Sequence, residues 1–152
     1  MLTAGAGRLV SPFANDPFAL VALAFKNLYP EREYAAYFAP EVEDGSGGAA
    51  CGVTTFPEDG SPPVVEVSGE IPIAAGVEIF AHELAHVATP EDREHGEAWK
   101  AAFDRIFEEY NRIAQDLFGE GGEEPCLTSG SRPHTIPRLQ KRRRGFPLRL
   151  KN

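Results

Sequence analysis

Cysteine, methionine and tryptophan are nearly missing from this chain: two, one and one among 152 residues. Two cysteines, Cys51 and Cys126, cannot build a disulfide framework or a four-cysteine metal site, so both are expected as reduced, buried thiols. Long apolar runs are missing too. The run Phe18–Phe25 is eight residues, too few to cross a bilayer. Asn15-Asp16-Pro17 precede it and no small-residue cleavage site follows it, which argues against a secretory leader. No internal repeat is visible. The expectation is a single cytoplasmic domain with no membrane partner, large enough to bury one core.

Positive charge is scarce until the end of the chain. Residues 132–152 hold eight of the fifteen basic side chains and no acid, so with the whole chain at −8 everything before them carries −16. The composition changes after Phe118, where Gly119-Glu120-Gly121-Gly122-Glu123-Glu124-Pro125 reads as a linker. Residues 1–118 are therefore expected as the folded domain, and 119–152 as a linker and a disordered basic tail. Such a tail suits non-specific, salt-dependent contact with nucleic-acid phosphates, or contact with the acidic body of the same protein. His134, within it, is not read as a ligand.

Against that background stands His82-Glu83-Leu84-Ala85-His86. Residues four apart share one face of an α-helix, so both imidazoles can converge on one metal ion, with Glu83 to its side. A catalytic zinc takes three protein ligands and keeps one position for water, so a third ligand is needed. His95 is the candidate, because Pro90 disfavours helix at Thr89 and lets the chain turn back. Glu94, Glu97, Glu108 and Glu109 are the carboxylate alternatives. His86 is not followed by Gly-x-x-His, and Met1 is the only methionine, so no methionine turn is available, which argues against a metzincin.

The surrounding pattern places these residues in an α+β domain. Asn15 or Asp16 caps a helix beginning at Pro17 and ending at Leu28. Segments 34–39, 50–56 and 64–68 read as three short strands separated by the turn-rich stretches 44–48 and 57–63. The metal helix runs from about Ala75 to Ala88, with Val77, Phe80, Leu84 and Val87 as its apolar stripe. Trp99, Phe103, Ile106, Tyr110, Ile113 and Leu117 alternate by four and three, making one seam of a long packing helix that covers the metal helix. Strand 64–68 is expected at the sheet edge beside the metal, where an extended peptide could add to it. Tyr110 and Arg93 are the candidates offered for steadying an oxyanion.

His82 to Trp99, continuing through Lys100 to Phe103, resembles the SprT-like zinc metallopeptidases, in which a His-Glu-x-x-His helix is followed by a loop and a His-Gly-x-x-Trp/Phe segment. The likeness is local, around residues 77–107. It implies a compact zincin fold, one zinc ion per chain on His82, His86 and His95, Glu83 as general base, and a protein or peptide substrate. The chain departs from many members of that family in lacking the paired cysteines of a zinc ribbon. Two other readings stay open: a catalytically silent zinc-binding module, and a basic-tailed nucleic-acid-associated protein. Oligomeric state is not legible.

Overall fold

The computed structural model describes residues 10–119. The basic tail, Cys126 and His134 lie outside the described residues, so the expectations placed on them are not addressed by the fold. The described chain is a small α+β fold with three helices, a three-stranded mixed sheet and a two-stranded ribbon. None of its helices is long and apolar enough to cross a membrane.

Helix α1 spans Pro17–Leu28, as the capping pattern predicts: the Asp16 carboxylate accepts from Phe18 N at 2.9 Å and Ala19 N at 3.2 Å, with proline at the first position. Strand β1 (Ala35–Ala39) follows. Strands β2 (Val42–Glu43) and β3 (Ala49–Ala50) form an antiparallel ribbon. Its turn is organised by Asp44, whose carboxylate accepts from the backbone of Ser46 and Gly48. Strands β4 (Gly52–Thr55) and β5 (Val64–Ser68) complete the sheet. Helix α2 covers Ile73–Ala88, starting two residues before the expected Ala75, and α3 covers Glu97–Phe118.

One expectation about the sheet is overturned. The strand order is β1-β5-β4, with β1 parallel and β4 antiparallel to β5, so Val64–Ser68 is the central strand and not an edge. Val65 and Val67 are buried against the helices, and both main-chain edges of the strand are paired, one by β1 and the other by β4. The edges are β1 and β4. Register pairs Gly52 with Val67 and Thr54 with Val65, which puts both β4 residues on the helix-facing side.

Helix α2 is buried nearly all round, histidine and glutamate included, while α1 and α3 pack on it and on each other. The α1–α3 pair is antiparallel: the Arg105 guanidinium lies over the Tyr29 ring at 5.9 Å, and Asn27 Nδ2 donates to Glu109 Oε1 at 3.0 Å. Ile106, Tyr110 and Ile113 of the predicted seam are core residues, but Leu117, one turn further, is 60% exposed because the helix has run past its partners. Cys51 is half-buried as a free thiol, not enclosed as expected, since it sits at the mouth of β4 beside the ribbon.

The seam yields a stability contrast. Ile106→Ala removes a fully buried side chain and is expected to cost about 2–5 kcal/mol in urea unfolding. Leu117→Ala should stay within about 0.5 kcal/mol of the parent, and equal losses would contradict the packing described.

Candidate metal centre

Three imidazoles from two parts of the chain meet at one point. His82 and His86 lie on the last two turns of α2, and the helix stops behind them at Thr89, whose N–H caps onto Ala85 O and His86 O. The loop then brings His95 back: His95 Nε2 is 3.1 Å from His86 Nε2 and 3.0 Å from His82 Nε2. Among the described residues this is the one group of three or more potential ligands close enough to share an ion. The carboxylate alternatives are not there. Glu94, Glu97 and Glu108 are exposed, and Glu109 is engaged by Asn27 and Arg112 on the far side of α3.

The donor set fits a single metal ion. A tetrahedral zinc with Zn–N bonds of about 2.0–2.1 Å separates its nitrogen ligands by about 3.3–3.4 Å, close to the spacings found. Without a cation the arrangement is poorly satisfied, because a neutral imidazole nitrogen that faces two others can donate to one of them at most. Protonation is no remedy. Burial first, then the neighbouring imidazoles, hold the His82 ring down at about 3; burial, then His95, holds His86 at about 4; burial also lowers His95. All three are therefore neutral near pH 7, the form that binds a metal.

The loop holds the third imidazole of the cluster in place. His95 has a φ of 60°, a left-handed conformation that side chains adopt at a cost, and it is the one non-glycine residue of that kind in the described backbone. Asp92 holds it there: its Oδ1 accepts from Gly96 N at 2.8 Å and its Oδ2 from Trp99 N at 3.0 Å, capping α3 immediately after His95. Trp99 forms the floor of the cluster, with its ring centroid 4.6, 5.6 and 4.4 Å from those of His82, His86 and His95. Its Nε1 donates to His82 O at 3.3 Å, and its other face stacks on Phe103. Trp99, read from spacing as core, thus packs directly on the three imidazoles.

Glu83 is buried between α2 and β4, where burial raises its carboxyl to about 7 against the opposing hydrogen bond from Thr54. Thr54 Oγ1 lies 2.7 Å from Glu83 Oε2 and 3.1 Å from the Glu83 carbonyl oxygen. Gly52 makes room for this contact. A Cβ there would collide with Ile79 Cγ2 and come within 3.1 Å of Cγ and Oε1 of Glu83. Neither residue was singled out from sequence, since a lone glycine and threonine in a strand carry no spacing signal. Tyr110 is fully buried in the core and cannot reach a substrate, which withdraws it as an oxyanion group. Arg93 lies over the Phe56 ring at 4.9 Å on the outer side of the loop.

No protein-family model matches the chain, and no curated protein or solved structure matches it. The reading of the centre rests on its own geometry.

Two outcomes follow. Asparagine tolerates the left-handed region, so His95→Asn should keep the loop and the fold. Calorimetric titration with zinc should nonetheless show it losing more affinity than the roughly 10–100-fold typical of an outer-shell contact. Gly52→Ala should lower stability by about 1–3 kcal/mol through overpacking at Ile79 and Glu83; a neutral result in urea unfolding would contradict the close approach of β4 to α2.

Proposed function

We propose that the chain is a zinc-dependent metallopeptidase of zincin type, with His82, His86 and His95 as ligands and Glu83 as general base. The observation that carries this reading is the convergence of three imidazoles on one point, with the buried Glu83 carboxylate next to His82 in the chain and held by Thr54 of β4. A zinc ion in that position supplies a water of lowered pKa and polarises a carbonyl group next to it.

The chain's own residues do the rest. Thr54 occupies Glu83 Oε2, leaving Oε1 on the side that Gly52 keeps clear. Oε1 takes a proton from the attacking water and returns it to the leaving amine. Burial raises the carboxyl above the ordinary glutamate range, which favours its taking up the proton. The neighbouring residue on the helix must be glutamate, because the shorter aspartate would stop short of the water.

Substrate binding is assigned to β4, the edge that lies along α2, and not to the central strand β5. Cys51 O accepts from Ser68 N at 2.8 Å, so the antiparallel alternation turns the N–H and C=O of Cys51, Val53 and Thr55 toward β5. Gly52 and Thr54 consequently face the open edge. An extended peptide bonded to them would run past the metal centre with little side-chain selection. At the downstream end a groove of about 400 Å³, lined in part by Phe56, Pro57, Val87 and Pro90, can take one of its side chains. A cytoplasmic protein substrate fits this open cleft.

The test compares parent and Glu83→Gln protein on an unfolded protein substrate, with metal content measured on the same samples. The expected result is one zinc per chain in both, hydrolysis by the parent that a chelator abolishes, and turnover in the variant reduced by at least about 100-fold. Metal in both without hydrolysis by either would favour the silent zinc-binding module, and equal hydrolysis would remove Glu83 as the base.

A further inference from the structure

Among the described residues the sheet has two open edges, and the second lies away from the metal centre. It belongs to β1. Ala35 N donates to Pro63 O at 2.9 Å and Ala39 O accepts from Gly69 N at 2.8 Å, so Ala35, Tyr37 and Ala39 bond to β5. Alternation turns the main-chain groups of Ala36 and Phe38 outward to the open edge. The Phe38 ring falls on the helix-facing side, packs edge-on against Phe18 at 5.0 Å, and is still 65% exposed. With Phe13, Ile71 and Ile73 it walls an apolar groove of about 740 Å³, in which Phe13 is 70% and Ile73 64% exposed. An edge strand with no charge and no proline beside such a groove is a surface prepared for a partner strand.

The geometry states what that strand must look like. Antiparallel pairing places opposite residues whose main chains face each other on the same side of the sheet. A strand bonded to Ala36 and Phe38 therefore sends every second side chain to the helix-facing side, where the groove adjoins the Phe38 end of β1, and the alternate ones outward. The body it meets is strongly acidic, with twenty aspartates and glutamates against six lysines and arginines in residues 10–119. The complement is an alternation of apolar and cationic residues.

The sequence contains that alternation in Phe146-Pro147-Leu148-Arg149-Leu150-Lys151. Phe146, Leu148 and Leu150 share one parity, and Arg149 and Lys151 the other. Pro147, which has no N–H, falls where the N–H would face away from β1, a position open to proline in an edge strand. The connection also reaches. Since α3 runs antiparallel to α1, its end at Phe118 lies toward the first turn of α1, where Pro17 and Phe18 line the groove. The 26 residues between Gly119 and Phe146 can span roughly 80–90 Å when extended, far more than the gap demands.

We propose that the open edge of β1 and the apolar groove beside it are the docking site for residues 146–151 of the same molecule, added as an antiparallel fourth strand. The proposal does not depend on the metal centre or on the peptidase reading.

The test is amide hydrogen exchange on the full-length chain, comparing the parent with Leu148→Asp/Leu150→Asp. The expected result is exchange at Ala36 and Phe38 at least tenfold faster in the variant, with Val65 and Val67 unchanged. A peptide of residues 144–152 should then restore the slow exchange, while the peptide carrying the same two substitutions should not. Equal exchange at Ala36 and Phe38 in parent and variant would overturn the proposal. So would protection that rises with protein concentration, which would place a second copy on the edge.

Discussion

Three imidazoles converging on one point, with His95 Nε2 about 3 Å from both the His82 and the His86 Nε2, are the constraint on which the rest of this fold turns. Burial keeps the rings neutral, and neutral rings at that spacing present more lone pairs than hydrogen-bond donors. Such a cluster is unfavourable by itself and is relieved by a single cation. Much of the structure reads as support for it: the stop of α2 at Thr89, the left-handed His95, the carboxylate of Asp92 that starts α3, and the indole of Trp99 packed under all three rings. A loop residue in a costly conformation persists when its surroundings determine it from several sides.

The sheet serves the same centre from the other side. β4 comes so close to α2 that only glycine fits at position 52, and the closeness lets Thr54 grip the Glu83 carboxylate. Strand and helix therefore fix the Glu83 carboxylate together, and the same strand turns the main-chain groups of Gly52 and Thr54 toward the outer edge of the sheet. A carboxyl raised to about 7 by burial and a main-chain rail at one edge are distinct consequences of one packing decision.

Much of this was legible in the amino-acid order. The Pro17 start and the Leu28 end bound α1 correctly, and of the two caps offered, Asn15 and Asp16, it is Asp16 that serves, because capping acts through local hydrogen bonding. The pair His82/His86 and the return to His95 follow from helical periodicity and a proline, and the structure brings all three rings together. What escaped was non-local. The strand order depends on which strand buries both edges, and Val64–Ser68 looks the same in the centre as at an edge when only its alternation is read. Leu117 continues a perfect seam yet is exposed, since periodicity does not say where the partner helix ends. The ribbon β2–β3 is two residues per strand, below the length at which a pattern exists. Gly52 and Thr54 acquire their roles solely through contact with a helix some thirty residues away.

The central claim is that these three histidines hold one metal ion and leave a coordination position to water. X-ray absorption at the zinc edge of the metal-loaded, full-length protein tests it most directly. The account predicts three imidazole nitrogens at about 2.0–2.1 Å and one further light atom that is lost on adding a small anionic ligand. A spectrum with sulfur at about 2.3 Å, or with fewer than three imidazoles, would contradict it.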